Sequence, residues 1–72
     1  VNLRISGAKL RQARKRLRLT QIDLAEEVRV NQAHISRLET GDRGARRRTL
    51  ERLARALKVR SEELLAGEPG EK

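Results

Sequence analysis

Cysteine is absent from this 72-residue chain and histidine occurs once. These two scarcities exclude a disulfide framework, a thiolate zinc site and a cysteine nucleophile, and His34 has no second ligand near it to hold a metal. The lack of cysteine is compatible with a reducing, cytoplasmic compartment. No apolar run approaches the roughly 20 residues of a membrane span, and no signal peptide is recognisable, so the expectation is a soluble chain without membrane contact. Acidic residues are missing from residues 1–22, whereas Glu62, Glu63, Glu68 and Glu71 crowd the C-terminal end. A chain this short forms one domain that buries only roughly 60 % of its unfolded surface, which leaves little room for a deep catalytic pocket.

What is abundant is positive charge. The 18 Lys+Arg residues outweigh 10 Asp+Glu, giving a net charge of +8 and an isoelectric point near 11.5. Such a surplus favours an anionic partner, nucleic acid first. Arginine-rich solvated helix faces would give the same composition, so position has to decide.

Helical spacing runs along the whole chain and no strand pattern interrupts it. Ser6 can cap a helix over residues 7–17 in which Leu10, Ala13 and Leu17 recur at three or four, with Ile5 placed to staple onto Leu10. Thr20 and Asp23 form a capping box for a helix over residues 21–28 whose inward residues are Leu24, Ala25 and Val28. Asn31 can cap a third helix over residues 32–40, with Ile35 and Leu38 inward and Gly41 ending it. After a basic loop over residues 42–48, Leu50, Leu53, Ala54 and Leu57 mark a fourth helix, and Ser61 opens a short fifth through Leu64 and Leu65 to Gly67. The expected fold is therefore all-α, a compact five-helix domain over residues 6–67, preceded by an N-terminal arm (1–5) and followed by a disordered tail (68–72).

The second and third helices are joined by only Arg29, Val30 and Asn31, so they cannot lie antiparallel. That predicts a helix-turn-helix, with Leu24, Val28, Val30, Ile35 and Leu38 buried and Ala25 small where the helices approach. Gln21 and Gln32 each follow a capping residue. Both fall in a first turn, where free backbone N–H groups and the positive end of the helix dipole suit a phosphate or a groove edge.

Through "LRQARKRLRLTQIDLAEEVRVNQAHISRLETG" and the following "TLERLARALKV", the sequence resembles the lambda-repressor and Cro-like, XRE-type helix-turn-helix family over residues 5–65. The resemblance implies a double-stranded DNA-binding regulator in which Gln21 contacts phosphate, while Gln32 reads a base and braces Gln21. It also implies that Ala33, His34 and Arg37 face the groove, that Ser36 and Arg43 meet the DNA backbone, and that Arg14 and Glu39 form a structural salt bridge.

Chemistry supports several of these roles and keeps rivals open. The amide of Gln32 matches adenine N6 and N7, and the Arg37 fork matches guanine O6 and N7, unless Arg37 only pairs with nearby carboxylates. Ala33 either touches a thymine methyl or is merely small enough to admit the helix. His34 is a polar groove or phosphate contact rather than a metal ligand. The arginines Arg43, Arg46, Arg47 and Arg48 either neutralise phosphates, Arg43, Arg46 and Arg48 foremost, or simply solvate a loop. Arg11, Lys15 and Arg18 on the first helix carry the same ambiguity.

Three departures from the family share a feature: Arg18, Arg29 and Lys58 stand where relatives often have glycine, which predicts a positive φ at Arg29. The segment "GDRGARRR" also lacks the proline and apolar residue that relatives often carry there.

The family implies a homodimer on a palindromic operator, with recognition helices roughly 34 Å apart. Val59, Leu64 and Leu65 are the apolar residues expected to form the dimer interface, unless the core takes them. The expected function is transcriptional regulation, most simply repression by operator occupancy, with no catalysis, cofactor or small-molecule ligand. A protein-binding module of the same fold, such as an antitoxin or bridging cofactor with a protein partner and weak DNA specificity, is the second reading.

Overall fold

The computed structural model describes residues 2–41 and 44–66. Four α-helices follow in order: α1 (Gly7–Arg16), α2 (Gln21–Val28), α3 (Gln32–Thr40) and α4 (Arg47–Leu57). The expected fifth helix is a single 3₁₀ turn, Ser61–Leu64. Its brevity has a local cause. Leu65 is drawn into an isolated antiparallel bridge with Ile5, Ser6 N–H donates to Leu64 O at 2.8 Å and Ala66 N–H to Arg4 O at 3.1 Å, so the backbone turns extended instead of continuing as a helix.

Residues 3–6, before α1, are accordingly tied into the fold. Leu3 exchanges both backbone hydrogen bonds with Ala45, at 2.7 and 2.9 Å, and Ile5 is buried. Gly67 and the tail of residues 68–72 lie outside the described residues. No strand longer than these single bridges forms among the described residues.

Capping follows the sequence for the first two helices. Ser6 Oγ accepts from Lys9 N–H at 3.2 Å, and Thr20 and Asp23 exchange side-chain to backbone hydrogen bonds at 3.0 Å each, closing the capping box. Asn31 adopts the extended capping conformation, but no side-chain capping hydrogen bond forms there. Helix α4 begins at Arg47, so Arg47 and Arg48 belong to its first turn and not to the loop. Arg18, Arg29 and Lys58 all have left-handed backbones, at φ 60°, 63° and 60°. Each accepts a conformation that costs a non-glycine residue roughly 1 kcal/mol, offset in part at Arg29 and Lys58 by a cation sitting on the negative end of a helix.

The core is wholly aliphatic, because the sequence has no aromatic residue. Each helix and the 3₁₀ turn contribute at least one completely buried side chain: Leu10, Leu24 with Val28, Ile35 with Leu38, Leu53, and Leu64. Burying each such leucine or isoleucine stabilises the fold by about 1.5–3 kcal/mol. Leu64 is therefore a core residue and cannot face a second protomer. Of the three residues expected at the dimer interface, only Val59 and Leu65 remain partly exposed, packed against the edge of the core.

Helix α1 meets the end of α3 at very short range. A Cβ on Gly7 would fall on the carbonyl oxygen of Glu39, so this helix start must be glycine for the two backbones to approach. That approach places α1 beside Glu39, the acidic partner in the interface.

Candidate nucleic-acid interface

The geometry of the interface begins with the rotation of α3. Successive residues turn by about 100°, so with Ile35 and Leu38 in the core, Ala33, Arg37 and Thr40 point away from it. All three are exposed. Gln32 and Glu39, seven residues apart, share the edge nearest α1 and α2, and His34 lies on the opposite edge.

Along the first edge, four side chains from three helices form one hydrogen-bonded chain. Arg14 grips Glu39 with two donors, Nε to Oε2 at 2.6 Å and Nη2 to Oε1 at 3.2 Å. Its remaining arm donates to the carbonyl of Leu19 at 2.8 Å. Only 9 % of the Arg14 side chain and 5 % of that of Glu39 reach solvent, so the pair depends on these partners to offset the cost of burying charge. Glu39 Oε1 also accepts from Gln21 Nε2 at 3.1 Å, and Gln21 Oε1 in turn accepts from Gln32 Nε2 at 3.3 Å.

This chain fixes which way each amide points. Gln21 has its nitrogen toward Glu39 and its oxygen toward Gln32. Gln32 spends one N–H on Gln21, and keeps the other N–H and both lone pairs of its oxygen. The donor and acceptor left over are the two that a base edge such as adenine N7 and N6 would engage. The sequence offered Arg14–Glu39 and Gln21–Gln32 as separate pairs. The link between them, Gln21 to Glu39, was missed, and only the seven-residue spacing of Gln32 and Glu39 on α3 hinted at it.

His34 departs from the expected groove-facing set. It is half-buried, with Nε2 buried, and shares a cleft with Asn2, Gly44, Ala45, Arg46 and Thr49. The reason is rotational: His34 precedes Ile35 and is carried round toward the segment that leads into α4. Ser36 is also half-buried, between the outward face and the glutamine edge.

The basic residues separate by position. Arg46 is the residue before α4, and Arg47 and Arg48 are its first two helical residues; all three are exposed, and no acid occupies that first turn. Cations at the positive end of a helix are disfavoured by roughly 0.3–1 kcal/mol each, which an anion placed there would reverse. Because Arg46 shares the cleft with His34, this cationic helix start lies beside the first turn of α3. Arg43 lies outside the described residues. Arg11, Lys15 and Arg18 are exposed on and after α1.

Among the described residues, no group of three or more His, Cys, Asp or Glu could hold a metal ion, and no helix is long and apolar enough to cross a membrane.

Comparison with known proteins places this arrangement. A family model described as Helix-turn-helix matches residues 10–64. The P22 c2 repressor, solved in complex with synthetic operator 9T, is 31 % identical with a TM-score of 0.81, over 86 % of this chain and 94 % of that one. The restriction-modification controller protein C.AhdI from Aeromonas hydrophila is 29 % identical with a TM-score of 0.77, over 82 % of this chain and 89 % of its own. SinR, a master regulator for biofilm formation solved in complex with DNA, is 27 % identical with a TM-score of 0.77, over 82 % and 98 %. No curated protein sequence matches the chain. The family match spans α1 to the 3₁₀ turn and takes in Gln21, Gln32, Arg14 and Glu39, so the chain belongs to the XRE-type helix-turn-helix family.

Proposed function

We propose that the chain is a sequence-specific, double-stranded DNA-binding regulator of transcription that represses by occupying a palindromic operator as a homodimer. The observation that carries this reading is the hydrogen-bonded chain from buried Arg14 through Glu39 and Gln21 to Gln32. It holds a base-reading amide in one orientation at the start of an exposed helix, and such pre-positioning has no use on a surface that only coats DNA.

In this reading α3 enters the major groove. Gln32 and Arg37 read base edges, and Ala33 lies against the groove floor, where its small side chain admits the helix or meets a thymine methyl. Gln21 donates its second N–H to a phosphate at the start of α2, and Arg46 and Arg48, with Arg47, neutralise phosphates at the start of α4. Arg43 and Ser36 are assigned to the sugar-phosphate backbone, and His34 lies closer to that backbone than to the bases. Binding excludes other proteins from the operator and makes or breaks no covalent bond.

Dimerisation rests on Val59 and Leu65, partly exposed beside the 3₁₀ turn, and on the small number of base pairs that one recognition helix can read. Relatives support the DNA partner: the P22 c2 repressor and SinR were each solved bound to DNA. Sedimentation of the chain with a duplex carrying two half-sites tests the dimer. Two protomers per duplex is the expected stoichiometry; one protomer per duplex, with unchanged affinity when a half-site is scrambled, would overturn it.

A second reading, a protein-binding module of the same fold, draws on one observation. Ile22 is a large apolar side chain that is 53 % exposed on α2, next to Asp23 and close to Glu26.

A further inference from the structure

Two features of the fold play no part in the operator face: the cations far from α3, and the left-handed Arg29 and Lys58 that end α2 and α4. They meet in one place. Arg29, which ends α2, and Lys58, which ends α4, line an open cleft of about 390 Å³ together with Arg52, Arg55, Ala56 and Glu27. Among the described residues the single ion pair, Arg14–Glu39, lies elsewhere. Four cations therefore share this cleft with Glu27 as the only counter-charge on its wall.

Ordinary helix chemistry explains part of this. A cation near a helix C-terminus is attracted to the dipole, which accounts for Arg29 and Lys58 taken one at a time. It does not account for Arg52, nearly two helix turns before Lys58 on α4, lining the same space. Nor does it explain why two positions that favour glycine both carry strained cations lining one cleft.

The cleft also has a direction. Both helix C-termini open into it, while the other ends of the same helices, at Gln21 and Arg47, belong to the proposed operator face. With about 1.5 Å of rise per residue, the two ends of α2 and of α4 are roughly 12 and 16 Å apart. A straight duplex on the operator face cannot reach around to the cleft. Away from that face a basic ridge follows α4: Arg52 and Arg55 are three residues apart and Lys58 is three further on, about 9 Å in all. All three are exposed.

A ridge of that length exceeds what one small phosphate would need and suits a polymer of phosphates. Arginine forks bind phosphate oxygens in pairs. The chain has no Phe, Tyr or Trp on which unpaired bases could stack, and the cleft offers charge to a phosphate backbone, a contact that carries no sequence information.

We propose that the cleft and the α4 ridge bind the phosphate backbone of a second duplex segment, so that one protein bound to an operator also holds a separate stretch of DNA. This rests on the operator reading only for the first duplex.

The test uses the full chain, a biotin-bearing duplex on beads and a fluorescent duplex of unrelated sequence in solution, at near-physiological salt. Retention of the protein on the beads is measured separately from capture of the second duplex, so failure of operator binding and failure of bridging are told apart. The cleft variant Arg52→Gln, Arg55→Gln, Lys58→Gly is compared with Arg4→Gln, Lys9→Gln, Arg16→Gln, which removes the same charge from α1 and the segment before it. The expected result is roughly tenfold less capture by the cleft variant, with protein retention within about twofold, little change in the comparison variant and stronger capture by Glu27→Gln. Lys58→Gly alone, which relieves the left-handed backbone while deleting a cation, also lowers capture. Equal losses in the two charge-matched variants would overturn the proposal. So would no capture by the unmodified chain; a shift of the Arg29 and Lys58 amide resonances by inorganic tripolyphosphate in that case would assign the cleft to a free polyphosphate instead.

Discussion

Gln21 and Glu39, on different helices and eighteen residues apart, are joined by a hydrogen bond of 3.1 Å that connects a buried ion pair to an exposed amide. In the proposed function, stability and recognition are coupled at this bond. Glu39→Ala leaves Arg14 charged, nearly buried and without its carboxylate, and releases Gln21. The expected loss is about 1–3 kcal/mol of folding stability, read as a lower melting temperature, with a parallel loss of preference for the operator over random DNA. An unchanged melting temperature would separate the pair from the fold.

Base reading and charge neutralisation predict different signatures. Gln32→Ala or Arg37→Ala should weaken binding to the true site by about 1–3 kcal/mol and relax preference at one or two positions. Arg46→Ala should weaken all sequences alike and lower the slope of log affinity against log salt by about one. Titrations of each variant on operator and scrambled duplexes at several salt concentrations check the division; equal losses on both duplexes for all three variants would remove it.

Gly7 predicts a severe structural effect from the smallest substitution. A methyl group there meets the backbone carbonyl of Glu39, which cannot swing aside as a flexible side chain would. Gly7→Ala should therefore push α1 away from the end of α3, lower the melting temperature and weaken operator binding together. Retention of both, despite the added carbon, would mean that α1 can move without cost.

Acid should act on α2 through Asp23. The backbone hydrogen bond from Thr20, and then its side-chain hydrogen bond, hold the Asp23 carboxyl below its ordinary value of 3.8 against the small opposing effect of burial. A lowered value in the folded state means that the contribution is present above pH 3.8 and is lost as pH falls through the folded value. The melting-temperature gap between the unmodified chain and Asp23→Ala should be open near neutral pH and close in acid. A gap independent of pH would assign it to helix propensity alone.

Much of this was legible in the sequence, for reasons that differ by residue. Spacing of three and four located the helices, and α2 and α3 begin and end at the expected residues because Thr20, Arg29 and Gly41 act locally. The positive φ expected at Arg29 is found, since a three-residue connection leaves the chain few ways to turn. What escaped depends on residues far apart in the chain. The 3₁₀ turn in place of a fifth helix follows from the pairing of Ile5 with Leu65, and the burial of Leu64 follows with it. The inward placement of His34 depends on the segment from Gly44 to Arg46, whose course no local pattern sets. In the interface, each glutamine was readable from its cap, whereas the bond from Gln21 to Glu39 needed the approach of α3 to α1.

The most direct measurement is selection of bound sequences from a random double-stranded pool at near-physiological salt, where nonspecific attraction is weak enough not to mask preference. A palindromic motif, with half-sites one helical turn of DNA apart and a preference that changes at one position with Gln32→Ala, is the predicted result. Recovery of no motif, with equal affinity for every duplex tested, would contradict operator recognition and move the function of the fold to its protein partners.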